Sequence, residues 1–182
     1  MMIVTGRMLR AMQRKSFSGM QCPIARSLEH VGEWWSILIL RDAFNGLRRF
    51  DEFQTSLGIA PNMLTRRLKG LVESGLLERR RYSERPPRDE YLLTERGRDF
   101  RSVTLALLAW GNKHLTPEGI SIQLVNRDTG AVAEPVLVDR VSGRPVTDPV
   151  FRTVPGPAAD AGTRQRLARR DAVAAGHEGA GA

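Results

Sequence analysis

Residues 61–74, PNMLTRRLKGLVES, hold Leu64, Leu68, Leu71 and Val72 at positions i, i+4, i+7 and i+8. On an α-helix that spacing forms one continuous stripe, and an apolar stripe has to pack inward. Asn62, Thr65, Arg66, Lys69 and Glu73 are then left on the opposite side. A helix that is leucine-rich on one side and largely basic on the other needs neighbours to cover the leucines. It also leaves the basic side facing outward.

The neighbours are legible. Pro23 is a natural first helical residue, followed by Ile24, Leu28 and Val31 at helical spacing, with Gly32 ending the run. Residues 34–44, WWSILILRDAF, are apolar nearly all round, which predicts a buried helix. RRFDEFQTSL follows, with Phe50, Phe53 and Leu57 on one face and Gly58 as its cap. Only a few residues then lead into the 61–74 helix, which Gly75 ends. LLERRRY and DEYLL read as extended pieces, and SERPPR between them reads as an exposed loop, because two prolines forbid helix there. Side chains alternate along a strand, so Arg79 and Arg81 share a face and Arg80 takes the other. Thr94 opens a last helix whose apolar face is Phe100, Val103, Leu107 and Trp110, with Pro117 as its stop.

This order predicts a mainly α fold with a β-hairpin wing, a winged helix-turn-helix. Four zones follow: a flexible basic leader over 1–20, the winged domain over 21–118, a small β-rich appendage over 119–155 and a disordered Ala/Gly/Arg tail over 156–182. A net charge of +8 favours a polyanionic partner, although an arginine-rich, lysine-poor balance also suits a GC-rich genome. Cys22 is the single cysteine, so an internal disulfide is excluded and a reducing compartment is expected. The first twenty residues lack the apolar run of a signal peptide. The apolar run from Trp34 to Leu40 is far too short to span a membrane. The expectation is a soluble, cytoplasmic protein with no membrane partner.

A helix about 10–12 Å across fits the major groove of duplex DNA. Asn62 is suited to two-point pairing with adenine, Arg66 to guanine, and Thr65 to a thymine methyl or a phosphate. Pro61 and Lys69 belong to the same candidate surface. Arg85 and Arg88 at the hairpin tip are assigned to phosphate or minor groove, and Arg49 at the start of the first motif helix to phosphate. Arg67 sits near the edge of the buried stripe, so two roles stay open: contact with DNA, or bracing the fold through a carboxylate. Any single arginine among these is also compatible with a plain solvated charge.

Three stretches together resemble the HxlR-type transcriptional regulators: CPIARSLEHVGEWWSILILRDAFNGLRRFDEF, LTRRLKGLVESGLLERR and PPRDEYLLTERGR. The resemblance covers about Cys22 to His114. It implies a MarR-like fold, a homodimer and operator binding as repressor or activator. It also implies dimer contacts from the first and last helices, here Ile24, Leu28, Val103, Leu107 and Trp110, which periodicity alone shows only to be apolar. Cys22 matches the cysteine that some members use to sense oxidants, which makes it a candidate redox sensor; a free cysteine is more often an inert buried side chain. A small-molecule effector is a further candidate partner. The segment after Gly119 is similar to a zinc-ribbon-like appendage of longer relatives, but Thr129-Gly130 and Ser142-Gly143 stand where Cys-Gly would, and Asp139 where a cysteine would. Zinc needs about four Cys or His ligands at such a site. A metal-free appendage held by packing is expected, and no cofactor.

Catalytic motifs are missing: no phosphate-binding glycine loop, no GxSxG and no HExxH. His30, His114 and His177 are scattered, so no enzyme is expected. A winged-helix protein-interaction adaptor is the alternative, since fold does not fix function. RNA binding is disfavoured, because no stacking aromatics accompany the basic residues.

Overall fold

The computed structural model describes residues 16–17 and 19–178; the expected leader over 1–20 thus lies almost wholly outside the described residues. The winged domain consists of α1 (Pro23–Val31), α2 (Trp34–Phe44), α3 (Phe50–Leu57), α4 (Pro61–Glu73), β1 (Leu77–Glu84), β2 (Pro87–Leu93), α5 (Glu95–Asp99) and α6 (Arg101–His114). Ile39 and Leu40 of α2, Phe53 of α3, and Leu64 and Leu68 of α4 are completely buried together. Ile59, Leu71, Leu76 and Leu77 close the cluster. Burying one such side chain stabilises by about 1.5–3 kcal/mol. The leucine stripe of α4 therefore faces inward, as its spacing predicts. Gly58 makes the turn before it with φ 59°, a left-handed conformation that favours glycine. No side chain caps the start of α4; Pro61 stands there with its φ already helical.

The hairpin is longer than expected. The strands run to Glu84 and from Pro87, so only Arg85 and Pro86 remain as the turn, in place of an exposed loop over 83–88. A proline is tolerated at the first position of a strand, where the ladder does not need its donor. Between Arg81↔Asp89 and Ser83↔Arg88 the register skips Tyr82, which makes it a bulge residue. A two-stranded hairpin is marginal alone, and this one leans on the segment before α3. Arg49 bridges Glu90, and the Tyr91 amide donates to the Arg48 carbonyl at 2.7 Å.

The last helix is broken in two, where one helix from Thr94 to Pro117 was expected. Thr94 donates to the Gly75 carbonyl at 2.6 Å and accepts from the Gly97 amide at 3.0 Å, which pins α5 to the base of the hairpin. A Cβ on Gly97 would stand 2.0 Å from the Leu76 carbonyl oxygen, so only glycine allows this approach. Phe100 then bonds back to Gly97, an i−3 contact that tightens the turn and redirects the chain into α6. The helix ends at His114, short of Pro117.

Beyond Gly119 the strands are brief: β3 (Leu124–Val125) pairs with β4 (Val132–Ala133), and Val138 bridges Pro145. The expectation that packing holds this appendage is corrected. Val125, Val132, Val136, Leu137, Val138 and Val141 are exposed. Side chains instead close its turns. Asn126 Oδ1 accepts from the Asp128 and Thr129 amides, and Asp139 Oδ2 accepts from the Ser142 amide and hydroxyl. Those bonds from Ser142 hold the Asp139 carboxyl below the usual carboxylate range. The tail is also corrected: residues 161–178 form a helix, α7 (Ala161–Glu178). Asp160 caps it by accepting from the Thr163 amide at 2.7 Å, and alanine and arginine are good helix formers. No described helix is long and apolar enough to cross a membrane.

Candidate nucleic-acid interface

Asn62, Thr65, Arg66 and Lys69 are exposed on the side of α4 opposite its leucines, and Pro61 is exposed at its first turn. Among the described residues Arg66 has neither an ion pair nor a side-chain hydrogen bond, so its guanidinium is available to a ligand. The Thr65 hydroxyl donates to the Pro61 carbonyl at 2.9 Å, which fixes its rotamer and leaves its oxygen able to accept. Lys69 Nζ lies 3.7 Å from Glu73 one turn on, a loose and solvated pair.

Arg67 does not join this face. Its guanidinium lies 2.8 Å from Glu33, the residue that precedes α2, and its side chain is only 18% exposed. The DNA assignment for Arg67 is corrected to a brace between α4 and α2. One residue further along α4 than Arg66, it has rotated by about 100° out of the solvent face.

The basic run of β1 is also spoken for. Arg79 and Arg81 both meet Asp89, and Arg80 meets Glu90 at 2.7 Å. The alternation is the one strand geometry predicts, but the cross-strand carboxylates could be found only once the register was known. The Arg79 guanidinium, with Arg81 second, holds the Asp89 carboxyl below its ordinary value, and Asp89 in turn raises that of Arg79.

Arg85 in the turn and Arg88 on β2 beside it are exposed and have no ion pair among the described residues. Arg49 is exposed and stacks over the ring of Tyr82, 4.8 Å from its centroid. Tyr82 is the residue sequence reasoning missed, and a bulge that aims it toward α3 leaves no signature in one sequence. Arg49, Tyr82 and Arg88 line one groove between the start of α3 and the wing. Glu52 fastens the rim of that groove, accepting from the Arg48 amide at 2.8 Å and the Arg49 amide at 2.9 Å. These two bonds, Arg48's first, lower its pKa below the usual glutamate range.

A second surface is apolar. Ile24 and Leu28 on α1, and Val103, Leu107 and Trp110 on α6, are all more than 40% exposed, with Ile24 at 73%. No residue of α6 is buried. Cys22, half-buried, precedes Pro23 at the start of α1 and is a free thiol. His30 of α1 meets the Ser74 hydroxyl at the end of α4 at 3.0 Å, and the His114 ring lies against Trp110 one turn earlier on α6. Among the described residues no group of three or more His, Cys, Asp or Glu is arranged to hold a metal.

A family profile described as HxlR-like helix-turn-helix matches residues 30–119. An uncharacterised HTH-type transcriptional regulator of Mycobacterium tuberculosis is 44% identical over 135 residues, covering 74% of this chain and 85% of the relative. The structure of a candidate transcription factor of Pseudomonas aeruginosa is 57% identical, with a TM-score of 0.59, covering 80% of this chain and all of that one. A second solved candidate transcription factor is 38% identical, with a TM-score of 0.69, covering 76% of this chain and 98% of that one.

Proposed function

The chain belongs to the HxlR-like helix-turn-helix family of transcriptional regulators, and we propose that it acts as a homodimer on a palindromic DNA operator. The observation that carries this reading is the solvent face of α4, where Arg66 stands without a partner among the described residues, beside Asn62 and Thr65 and over a buried leucine stripe. In this reading α4 enters the major groove, Asn62 and Arg66 read base edges, and Thr65 and Lys69 steady the helix on the backbone. Arg85 and Arg88 of the wing, and Arg49 beside them, take phosphates. A protein-interaction adaptor has no use for a basic helix face left free, whereas a DNA reader requires one.

The homodimer reading is supported by the exposed apolar faces of α1 and α6. A soluble chain rarely leaves such side chains in water without a partner. Two α4 helices related by a twofold axis then read two half-sites, which is why the operator is expected to be palindromic. A DNA partner also places the chain in the cytoplasm. Cys22, at the start of an α1 that contributes to the dimer face, is the candidate for redox modulation. Oxidant should change operator affinity in the parent chain and not in Cys22→Ser; equal responses remove that role.

Genome-wide mapping of bound sites supplies the operator, and titration at different ionic strengths tests the mode. Affinity should fall by about 10³–10⁵ between 50 and 200 mM salt if the dimer makes about 6–10 phosphate contacts. A flat response, or binding confined to protein partners, overturns the DNA reading.

A further inference from the structure

Helix α6 touches α2 without closing onto it along its whole length, and Leu107 of the exposed apolar face borders the gap. Between the two helices lies a cleft of about 510 Å³, walled by Ile37, Leu38, Phe44, Leu105, Leu108 and Leu124. Its far wall, residues 122–124, belongs to the appendage and lies beyond the family match, which ends at residue 119. That wall is anchored: Asn112 of α6 donates to the Ile122 carbonyl at 2.9 Å. Two cations reach the cleft, Arg41 from α2 and Arg101 from the first turn of α6. Arg41 is tied to the buried carboxylate of Asp42 at 2.8 Å. Arg101 has no carboxylate partner among the described residues, and its guanidinium lies 5.9 Å from the Phe44 ring centroid. Among the described residues no acidic side chain lines the space, and Asn45, Thr104 and Gln123 add neutral hydrogen-bonding groups.

We propose that this cleft is a binding site for a small amphipathic organic anion, an aromatic or branched body carrying one carboxylate or sulfonate. The volume falls within the range of about 300–1,000 Å³ typical of small-molecule sites, and an apolar wall with a few polar groups is their usual lining. The sign of the ligand follows from the lining. A cation meets two guanidiniums and no carboxylate, whereas an anion gains a charge-assisted bond to Arg101. Phe44 holds that guanidinium over its ring. The body of the ligand covers leucines that water otherwise wets. Binding at this site stands apart from base reading, because none of the residues assigned to DNA lines it; Leu107 is shared with the proposed dimer face.

The test is calorimetric titration of the full chain with three probes of one shape: 2-naphthoate, the neutral 2-naphthylmethanol and the cationic 2-naphthylmethylammonium. Naphthoate should bind with one site per chain, about five- to tenfold tighter than the alcohol, with the ammonium weakest. Arg101→Gln should erase the preference for naphthoate while keeping the binding of the alcohol. Leu108→Trp, which fills the cleft, should abolish both. Thermal melting checks that each variant folds, and Arg101→Gln serves alone if Leu108→Trp does not. No binding of naphthoate, equal affinity for anion and cation, or a preference unchanged in Arg101→Gln overturns the proposal. Operator titration of Arg101→Gln without probe keeps the two readings separate: it should match the parent, whatever the calorimetry shows.

Discussion

Helices α4 and α6 are nearly equal in length, 13 and 14 residues, and each carries an apolar stripe. In α4 the leucines are buried, none more than 1% exposed, and the polar side is open. In α6 no residue is buried, and Val103, Leu107 and Trp110 stay 44–56% exposed. The same periodicity thus ends in opposite environments. A stripe says only which residues share a face; whether that face meets the chain's own core or something outside it is decided by what the rest of the fold brings near. Here α2, α3 and the hairpin surround α4, whereas α6 follows a break at Phe100 that carries it to the margin.

That contrast breaks most readily at the core. Leu68→Ala should lower the free energy of unfolding by about 2–5 kcal/mol, measured in urea. Leu107→Ala should cost a dilute monomer clearly less, since its side chain starts half in water. Equal losses would mean that α6 is as much core as α4. Next, Trp110→Asp should weaken self-association by about 2 kcal/mol or more, read by sedimentation, with the fold retained. An unchanged molecular mass would remove α6 from the dimer. On the α4 side, Arg66→Ala should weaken operator binding by about 1–3 kcal/mol and relax preference at one base pair, whereas Arg85→Ala should weaken all sequences alike. The reverse pattern would exchange reader and anchor. The smallest effect is in acid. The pKa of Glu52 is lowered in the folded chain, so its stabilisation is present above the ordinary glutamate value of about 4.3 and is lost as pH falls below it. Glu52→Gln should flatten that part of the stability curve, and an unchanged acid limb would show that the Arg48 and Arg49 amides do not depend on the charge.

Local rules made much of the molecule legible. Helical spacing located α1 to α4, and strand alternation sorted Arg79, Arg80 and Arg81 correctly. What escaped was tertiary. The break between α5 and α6 depends on Gly97 meeting the Leu76 carbonyl, a contact between residues 21 apart. The role of Arg67 depends on Glu33, 34 positions away in the chain and 2.8 Å away in the fold. Tyr82 needed the strand register to reveal the bulge. The α7 helix did carry a signal, Asp160 three residues before Thr163, but the glycines of the tail outweighed it.

The three arginines of β1 share two carboxylates of β2, Asp89 and Glu90. On meeting a polyanion they displace few sodium or chloride ions, and so they contribute little to indiscriminate adhesion. The count of 28 lysines and arginines therefore overstates how firmly the chain grips arbitrary duplex. Under the operator reading, a larger share of its hold rests on the letters of the site, and release from the wrong stretch of chromosome is correspondingly quick.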